Sequence, residues 1–400
     1  MRPSEHRQLW LTLSFLAFGL TPPISHSNQS CFANEKGNAS PSVPHAVRKS
    51  DKPVNPNQSP EETKILPAGI TDSSGRVGYF AGANGSIEAF DLATGKVLWM
   101  THEAQRPLLI DGNHLLVQAG VKRNRIRILA LDRTRQGECE LECDPIVFPA
   151  WVVTGAAHGR SFAAHWQLEK HKLRLEWEAR AWFVGKTRPS AEQEVAARKH
   201  ATGLVRVDLR TGQVEVSGPE AKTTTEHITL PDYLERKSLR WHGIVGSDIK
   251  ALELQEENGQ QRLILHSWDR INQKVQLEKE LLRGKHLLAR ASLDESVLCL
   301  YEACPNPQER SSLMPNKQQR WWSLYSAQNG ELLGRIPEEA GIHDLVVLGK
   351  RVLYLVPGAI NGSLDQPNWQ PQILKVIDLQ SGKKLWEHPV AGKFLAPPPV

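Results

Sequence analysis

The segment Asp91-Leu92-Ala93-Thr94-Gly95-Lys96-Val97-Leu98-Trp99 returns near the other end of the chain as Asp378-Leu379-Gln380-Ser381-Gly382-Lys383-Lys384-Leu385-Trp386. A run of strand character leads into each copy (Ser86 to Phe90, Ile373 to Ile377), Asp-x-x-Thr/Ser-Gly supplies turn chemistry, and a second strand ends in Trp. A strand–turn–strand unit recurring over such a span predicts repeated β units that hide their faces against one another, rather than one catalytic domain.

The same turn is traceable at Asp132, Asp208, Asp269 and Ser326, which gives six units of four strands, A to D. Gly95, Gly212, Gly330 and Gly382 take the turn position that wants positive φ, which glycine adopts without strain. The expected fold is all-β: a β-propeller of four-stranded antiparallel blades, six units being readable, with a true ring of seven or eight left open. Strand periodicity agrees. From Leu173 to Phe183 every second residue is apolar, whereas Val352 to Val356 is apolar throughout, as in a strand covered on both faces.

Unit lengths differ because residues are inserted, and the insertions share a place. Residues 184–202, 304–319 and 357–371, and the shorter 121–125, all fall between strands B and C. In a radial blade the B–C turns share one rim with the D–A connections, so one face is elaborated and the Asp-turn rim stays tight. Long loops on one rigid face are where binding usually resides. Ser190 and Gln193 fit a capping box, with Arg198, Lys199 and His200 in the last turn, which predicts a short helix in the 184–202 insertion.

The chain has 12 Trp against 9 Phe and 5 Tyr. Trp99 and Trp386 occupy equivalent places on the outermost strand. Each indole buries roughly 150–250 Å² when packed, an upper bound of about 4–6 kcal/mol at ~25 cal/mol per Å². One blade cannot cover it alone, so both are read as blade-docking residues. The turn aspartates Asp91, Asp208 and Asp378 are expected to hold N–H groups of their own turns rather than to do acid–base work.

Residues 1–33 read as a signal peptide: Arg2, His6 and Arg7 precede the apolar run Leu9 to Leu20, too short to span a bilayer, and Pro22-Pro23 breaks it. Residues 34–62, rich in Pro, Ser and Asn, read as a disordered linker, and 63–400 as the propeller. The mature protein is expected to be secreted or periplasmic and not transmembrane. A net charge of +5 is mild for 400 residues and argues against a nucleic-acid partner. The densest basic stretch, Lys122, Arg123, Arg125 and Arg127, reads as a solvated loop and strand edge.

Removal of the signal leaves Cys139, Cys143, Cys299 and Cys304. Cys139 and Cys143 lie along one predicted strand, roughly 13 Å apart if extended, beyond disulfide reach. Cys299 and Cys304 straddle a strand end and could pair across a turn at Pro305. The spacings lack matching histidines for a zinc site. His158, His165 and His171 match no ligand pattern. Gly185-Lys186-Thr187 is no phosphate loop, because the required earlier glycine is Arg180.

The two full copies, Phe90 to Trp99 and Ile377 to Trp386, closely resemble the pyrroloquinoline-quinone-type propeller repeat, with Val207 to Gly212 a partial copy. The resemblance covers about 63–400. It implies a propeller of the kind found in quinoprotein dehydrogenases and in non-enzymatic envelope relatives. Quinoproteins of this type use a vicinal Cys-Cys pair and a calcium site beside a catalytic Asp. No two cysteines are adjacent here, so the likeness carries the fold without the cofactor. The expected function is that of an exported, non-enzymatic scaffold binding a protein or cell-envelope partner through the B–C face, with no cofactor. Alternatives are a quinone- and calcium-dependent oxidoreductase with an atypical site, and a carbohydrate-binding module using Trp321, Trp322 or Trp369.

Overall fold

The computed structural model describes residues 63–121, 124–149, 151, 158–183, 199–217, 229–303, 321–338, 342–357, 360–361, 368–369 and 371–391. The expected signal peptide, the linker and the helix start at Ser190 and Gln193 lie outside the described residues, but its expected last turn does not form: Lys199 O accepts from Ala181 N and His200 pairs with Arg180 as a strand residue.

Six antiparallel sheets follow one another along the chain. Blade one is β1 (Lys64–Leu66), β2 (Gly69–Thr71), β3 (Val77–Ala81), β4 (Ile87–Asp91) and β5 (Val97–Thr101). Blade two is β6 (Arg106–Asp111), β7 (His114–Val121), β8 (Arg125–Asp132), β9 (Glu138–Glu142) and β10 (Ile146–Val147), the last two both pairing with β8. Blade three is β11 (His158–Glu169), β12 (Lys172–Phe183), β13 (His200–Asp208) and β14 (Val214–Ser217), followed by the short helix α1 (Asp232–Glu235). Blade four is β15 (Leu239–Val245), β16 (Asp248–Glu257), β17 (Gln260–Asp269) and β18 (Lys274–Gly284). Blade five is β19 (Leu287–Ala291), β20 (Val297–Glu302), β21 (Trp321–Ser326) and β22 (Leu332–Pro337). Blade six is β23 (His343–Leu348), β24 (Arg351–Val356), β27 (Gln372–Asp378) and β28 (Lys384–Val390), with the hairpin β25 (Ile360–Asn361) and β26 (Asn368–Trp369) between its second and third strands. All six predicted units are present. Blades one and two exceed the expected four strands, by an added inner strand and by a break in the outer one.

Consecutive sheets lean on one another. Apolar side chains interdigitate between blades one and two (Tyr79, Ile87 with Ile110, Leu115) and two and three (Ile128, Phe148 with Leu173, Val205). They do so again between four and five (Leu263, Leu265 with Leu298, Leu300) and five and six (Leu324, Ile336 with Val352, Tyr354). Blade six then packs on blade one, through Leu353, Leu355 and Leu374 against Leu66, Phe80 and Phe90. Inner strands of neighbouring sheets touch, β6 against β2 and β11, and β15 against β19. The inner strands therefore converge on an axis, and the Trp-bearing strands lie outermost. This is a β-propeller.

The join from blade six to blade one is directional as well as apolar. Trp386 stacks on Phe90 (ring centroids 5.9 Å, planes 9° apart) and donates its Nε1–H to Leu92 O at 3.2 Å. His388 Nε2 lies 2.8 Å from Glu88 Oε2, and Ala391 N donates to Ala81 O at 2.8 Å.

The turn glycines have two reasons to be glycine. Gly95 has φ +72°, and a Cβ there would stand 2.5 Å from Trp386 Cγ. The pattern repeats: Gly137 meets Trp99 of the preceding blade at 2.7 Å, Gly330 meets Leu281 at 2.8 Å, and Gly382 meets Trp321 at 3.0 Å. At these junctions the turn sits on the outer edge of the blade before it, as expected for Trp99 and Trp386. Blade five carries Gly334 at the Trp position, where a Cβ would meet Leu379 O at 2.3 Å. Trp321, from the adjacent strand, fills the place instead.

Turn aspartates are saturated locally. Asp91 Oδ1 accepts from Ala93 N (2.9 Å), Thr94 N (2.8 Å) and Thr94 Oγ1 (3.0 Å); Asp378 Oδ1 accepts from Ser381 N (2.8 Å) and Ser381 Oγ (2.7 Å). These bonds, led by the Thr94 N–H at Asp91 and the Ser381 hydroxyl at Asp378, hold both carboxyls below the ordinary range. Asp208 is lowered too, first by the Arg210 N–H. A depressed carboxyl stabilises the fold above its unfolded pKa and loses that contribution as pH falls through its folded one. The urea midpoint is therefore expected to drop with acid below about pH 4, and Asp91→Asn, which keeps an acceptor but cannot titrate, to flatten that limb.

Candidate functional site

The rim predicted to carry function is set by strand pairing. The 184–198 stretch departs from the end of β12 and returns at β13, and 304–320 lies between β20 and β21. The hairpin β25–β26 rises between β24 and β27, with Ile360 paired to Trp369. All leave from second-to-third-strand junctions, whereas the third-to-fourth turns close within a few residues: Gly95 N donates to Asp91 O at 2.8 Å, Gly212 N to Asp208 O at 2.8 Å and Gly382 N to Asp378 O at 2.9 Å. Apart from that hairpin, the interior of each long insertion, Cys304 included, lies outside the described residues.

The candidate glycan aromatics separate. Trp322 is 8% exposed, stacked on Tyr301 (5.1 Å, 26°) in the core between blades five and six. Trp321 is 36% exposed but occupied as a docking residue against Gly382. Trp369 stands on the β25–β26 hairpin.

Cys139 and Cys143 are free thiols. Cys139 packs toward blade one and Cys143 toward blade three, on opposite faces of blade two, because a bulge at Glu140, between Cys139 (opposite Leu131) and Leu141 (opposite Ala130), reverses the alternation. Four residues along an unbulged strand would have shared one face. Burial pushes their thiols up to about 11 and about 12, which makes them poor nucleophiles. Cys299 is buried between blades five and six. These positions do not assemble a vicinal pair, and among the described residues no cluster of three His, Cys, Asp or Glu could hold a metal ion. His165 is exposed on β11 and His171 lies in the turn after it. Arg125 opens β8, and Arg127 pairs with Glu142.

Blade four holds what sequence reading missed. On the face turned toward blade three, fully buried His266 (β17) places Nε2 2.8 Å from Glu253 Oε2 (β16) and Nδ1 3.2 Å from the Tyr233 hydroxyl (α1). The same Glu253 oxygen accepts from Lys237 Nζ at 3.0 Å and Gln255 Nε2 at 3.0 Å. The Tyr233 hydroxyl also lies 2.7 Å from Glu278 Oε2 (β18). Burial lowers the affinity of His266 for a proton, with Lys237 adding to it, against the pull of Glu253 and Glu278. Burial and Glu278 raise the Tyr233 phenol. The opposite face of blade four buries a second set: Lys250 Nζ lies 2.6 Å from Ser267 Oγ and 3.2 Å from Asp248 Oδ2. The available signal was a polar residue inside an apolar run, Leu263-Ile264-Leu265-His266.

No protein-family model matches the sequence, and no curated protein matches it significantly. Among solved structures the chain is similar to the dihydro-heme d1 dehydrogenase NirN in complex with DHE (16% identity, 83% of this chain and 66% of that one, TM-score 0.30). It is also similar to the Dos1 propeller (13%, 79% and 68%, 0.24) and to the AtxE2 isopeptidase without ligand (12%, 83% and 52%, 0.38). The chain spans just under two thirds of the dehydrogenase and about half of the isopeptidase. At such scores the likenesses carry no functional argument.

Proposed function

We propose that this protein is an exported propeller scaffold of the quinoprotein-like repeat kind, which captures a protein or cell-envelope partner through the rim bearing the second-to-third-strand loops. The observation that supports it most is the one-sidedness: blades three, five and six lengthen the same connection, while the opposite rim is held to tight Asp–Gly turns. A rigid wedge-packed body with variable loops on one face is suited to recognition. The reading invokes no cofactor.

Deleting residues 186–198 is expected to abolish partner capture after cross-linking in cell envelope while moving the melting temperature by no more than about 2 °C. Undiminished capture, or collapse of the fold, would remove the proposal. Dye reduction after reconstitution with pyrroloquinoline quinone and calcium would favour an oxidoreductase instead.

A further inference from the structure

Five of the six junctions carry the same two seals: an apolar cluster between the blades, and a turn glycine seated on the outer edge of the blade before. Between blades two and three, for example, a Cβ on Gly212 would stand 2.9 Å from Glu142 O of β9. The junction from blade three to blade four has neither seal. Val216 holds the place of Trp99 and Trp386 but is 65% exposed, and the facing turn carries Gln273, at φ +49°, where the other five carry glycine. Ile271 in that turn is 81% exposed. Among the described residues no apolar cluster joins these two blades.

Each of the two facing sheets is finished for water without the other. On β12, Leu173, Leu175 and Ala179 pack toward blade two, so Arg174, Glu176, Glu178 and Arg180 point away from it, toward blade four. The side chains of Glu176 and Arg180 are 51% and 62% exposed. His165 and Gln167, paired with Glu176 and Arg174 on the same face, are exposed too. The charges satisfy one another within the sheet: Arg174 pairs with Glu169 and Glu176 (3.1 and 2.5 Å), and Glu178 with Arg180 and His200 (2.6 and 2.8 Å). Leu204 is buried on this face but belongs to no cluster shared with blade four. One packed face and one charged face is the pattern of an antiparallel sheet that meets solvent. Blade four covers its own apolar patch. Ile249 and Ala251 are closed over by Leu234 of α1, with Tyr233 and Trp268 beside them, and farther along the face Arg262 pairs with Glu257 and Glu280 (3.3 and 3.7 Å). Parting these two blades therefore uncovers little apolar surface, whereas parting any other junction opens a core.

We infer that the propeller is a split ring: blades four, five, six, one, two and three form one sealed arc, whose two ends face each other at blades three and four across a seam that opens and closes. The chain itself ties that seam loosely. Residues 218–238 connect β14 to β15, where 285–286 suffice between β18 and β19 and 102–105 between β5 and β6. Small rotations at the five sealed junctions add up at the free ends of the arc, as in shear between packed elements. Opening would change the distance between the far ends of β12 and β20, where two of the long connections leave, and so the spacing of that rim.

Distances between spin labels in the full chain test this. Gln213 and Lys274 are exposed, each follows the glycine place of its turn, and they lie on either side of the seam; Lys96 and Glu138 are their counterparts across the sealed junction of blades one and two. The labels are attached through handles other than cysteine, since Cys139, Cys143 and Cys299 are free. The distance distribution across the seam is expected to be roughly twice as broad as the one across the sealed junction. Val216→Trp together with Gln273→Gly, which supplies the missing indole and the room for it, should narrow the distribution toward the control. Equal widths at the two pairs, or a repaired variant as broad as its parent, would overturn the split ring. Should the repair prevent folding, the two labelled pairs decide by themselves.

Discussion

Trp386→Ala is expected to destabilise the fold by about 3–5 kcal/mol, the range for removing a packed indole from a core. Three contacts disappear together: the stack on Phe90, the hydrogen bond to Leu92 O, and the surface on which the Gly95 turn rests. Leu92 O would lose its indole donor at a join where Phe90 and Leu92 are fully buried. Urea unfolding should show the midpoint fall, and a cost under about 1 kcal/mol would mean that the indole is ornamental. Gly95→Ala is the matched probe. By itself it is strained, since its Cβ would stand 2.5 Å from the indole and its φ is +72°. Combined with Trp386→Ala it should cost less than the sum of the two, because the ring contacts at 2.5 and 2.7 Å vanish, leaving the backbone strain and the 2.9 Å approach of the Cβ of residue 386.

Lys250→Ala is expected to be nearly as damaging, about 3 kcal/mol, the lower end for breaking a buried ion pair by removing one partner. The ammonium is 5% exposed and sits between Asp248 Oδ2 and Ser267 Oγ. Its removal strands a carboxylate that is itself 14% exposed. The larger part of that cost belongs to the abandoned Asp248 rather than to any net gain from the pair. Lys250→Met with Asp248→Asn should therefore recover most of the loss by filling the volume and retiring the charge. Failure of the double variant to recover would show that the pair itself contributes stability.

Much of the fold was legible because its determinants are local. The Asp-x-x-Thr/Ser-Gly turn and the Trp eight residues after the Asp write the blade edge directly into the chain, and even blade four, which lacks both Gly and Trp, kept Asp269 as a marker. The second reason for the turn glycines was not legible, since the space at Gly95 and Gly137 is taken by a side chain of another blade. Neither was the exchange at Gly334 and Trp321, where one strand supplies what its neighbour omits. Cys139 and Cys143 face apart because of a bulge at Glu140 that no alternation pattern announces. His266 was overlooked because its partners Tyr233, Lys237 and Glu278 come from separate elements and share no motif.

The closing contacts of the ring lie between residues 294 and 300 positions apart. A nascent chain leaving the ribosome from its N-terminus therefore carries Phe80, Phe90 and Leu92 without their blade-six cover until the residues from Val346 to Val390 have been made. Local hairpins can form early, but closure waits for β28 and bears the slow kinetics of distant pairing. Shielding of that first greasy face during synthesis becomes a requirement of the architecture, and chains stopped short of Gln372 should cling to holdase chaperones.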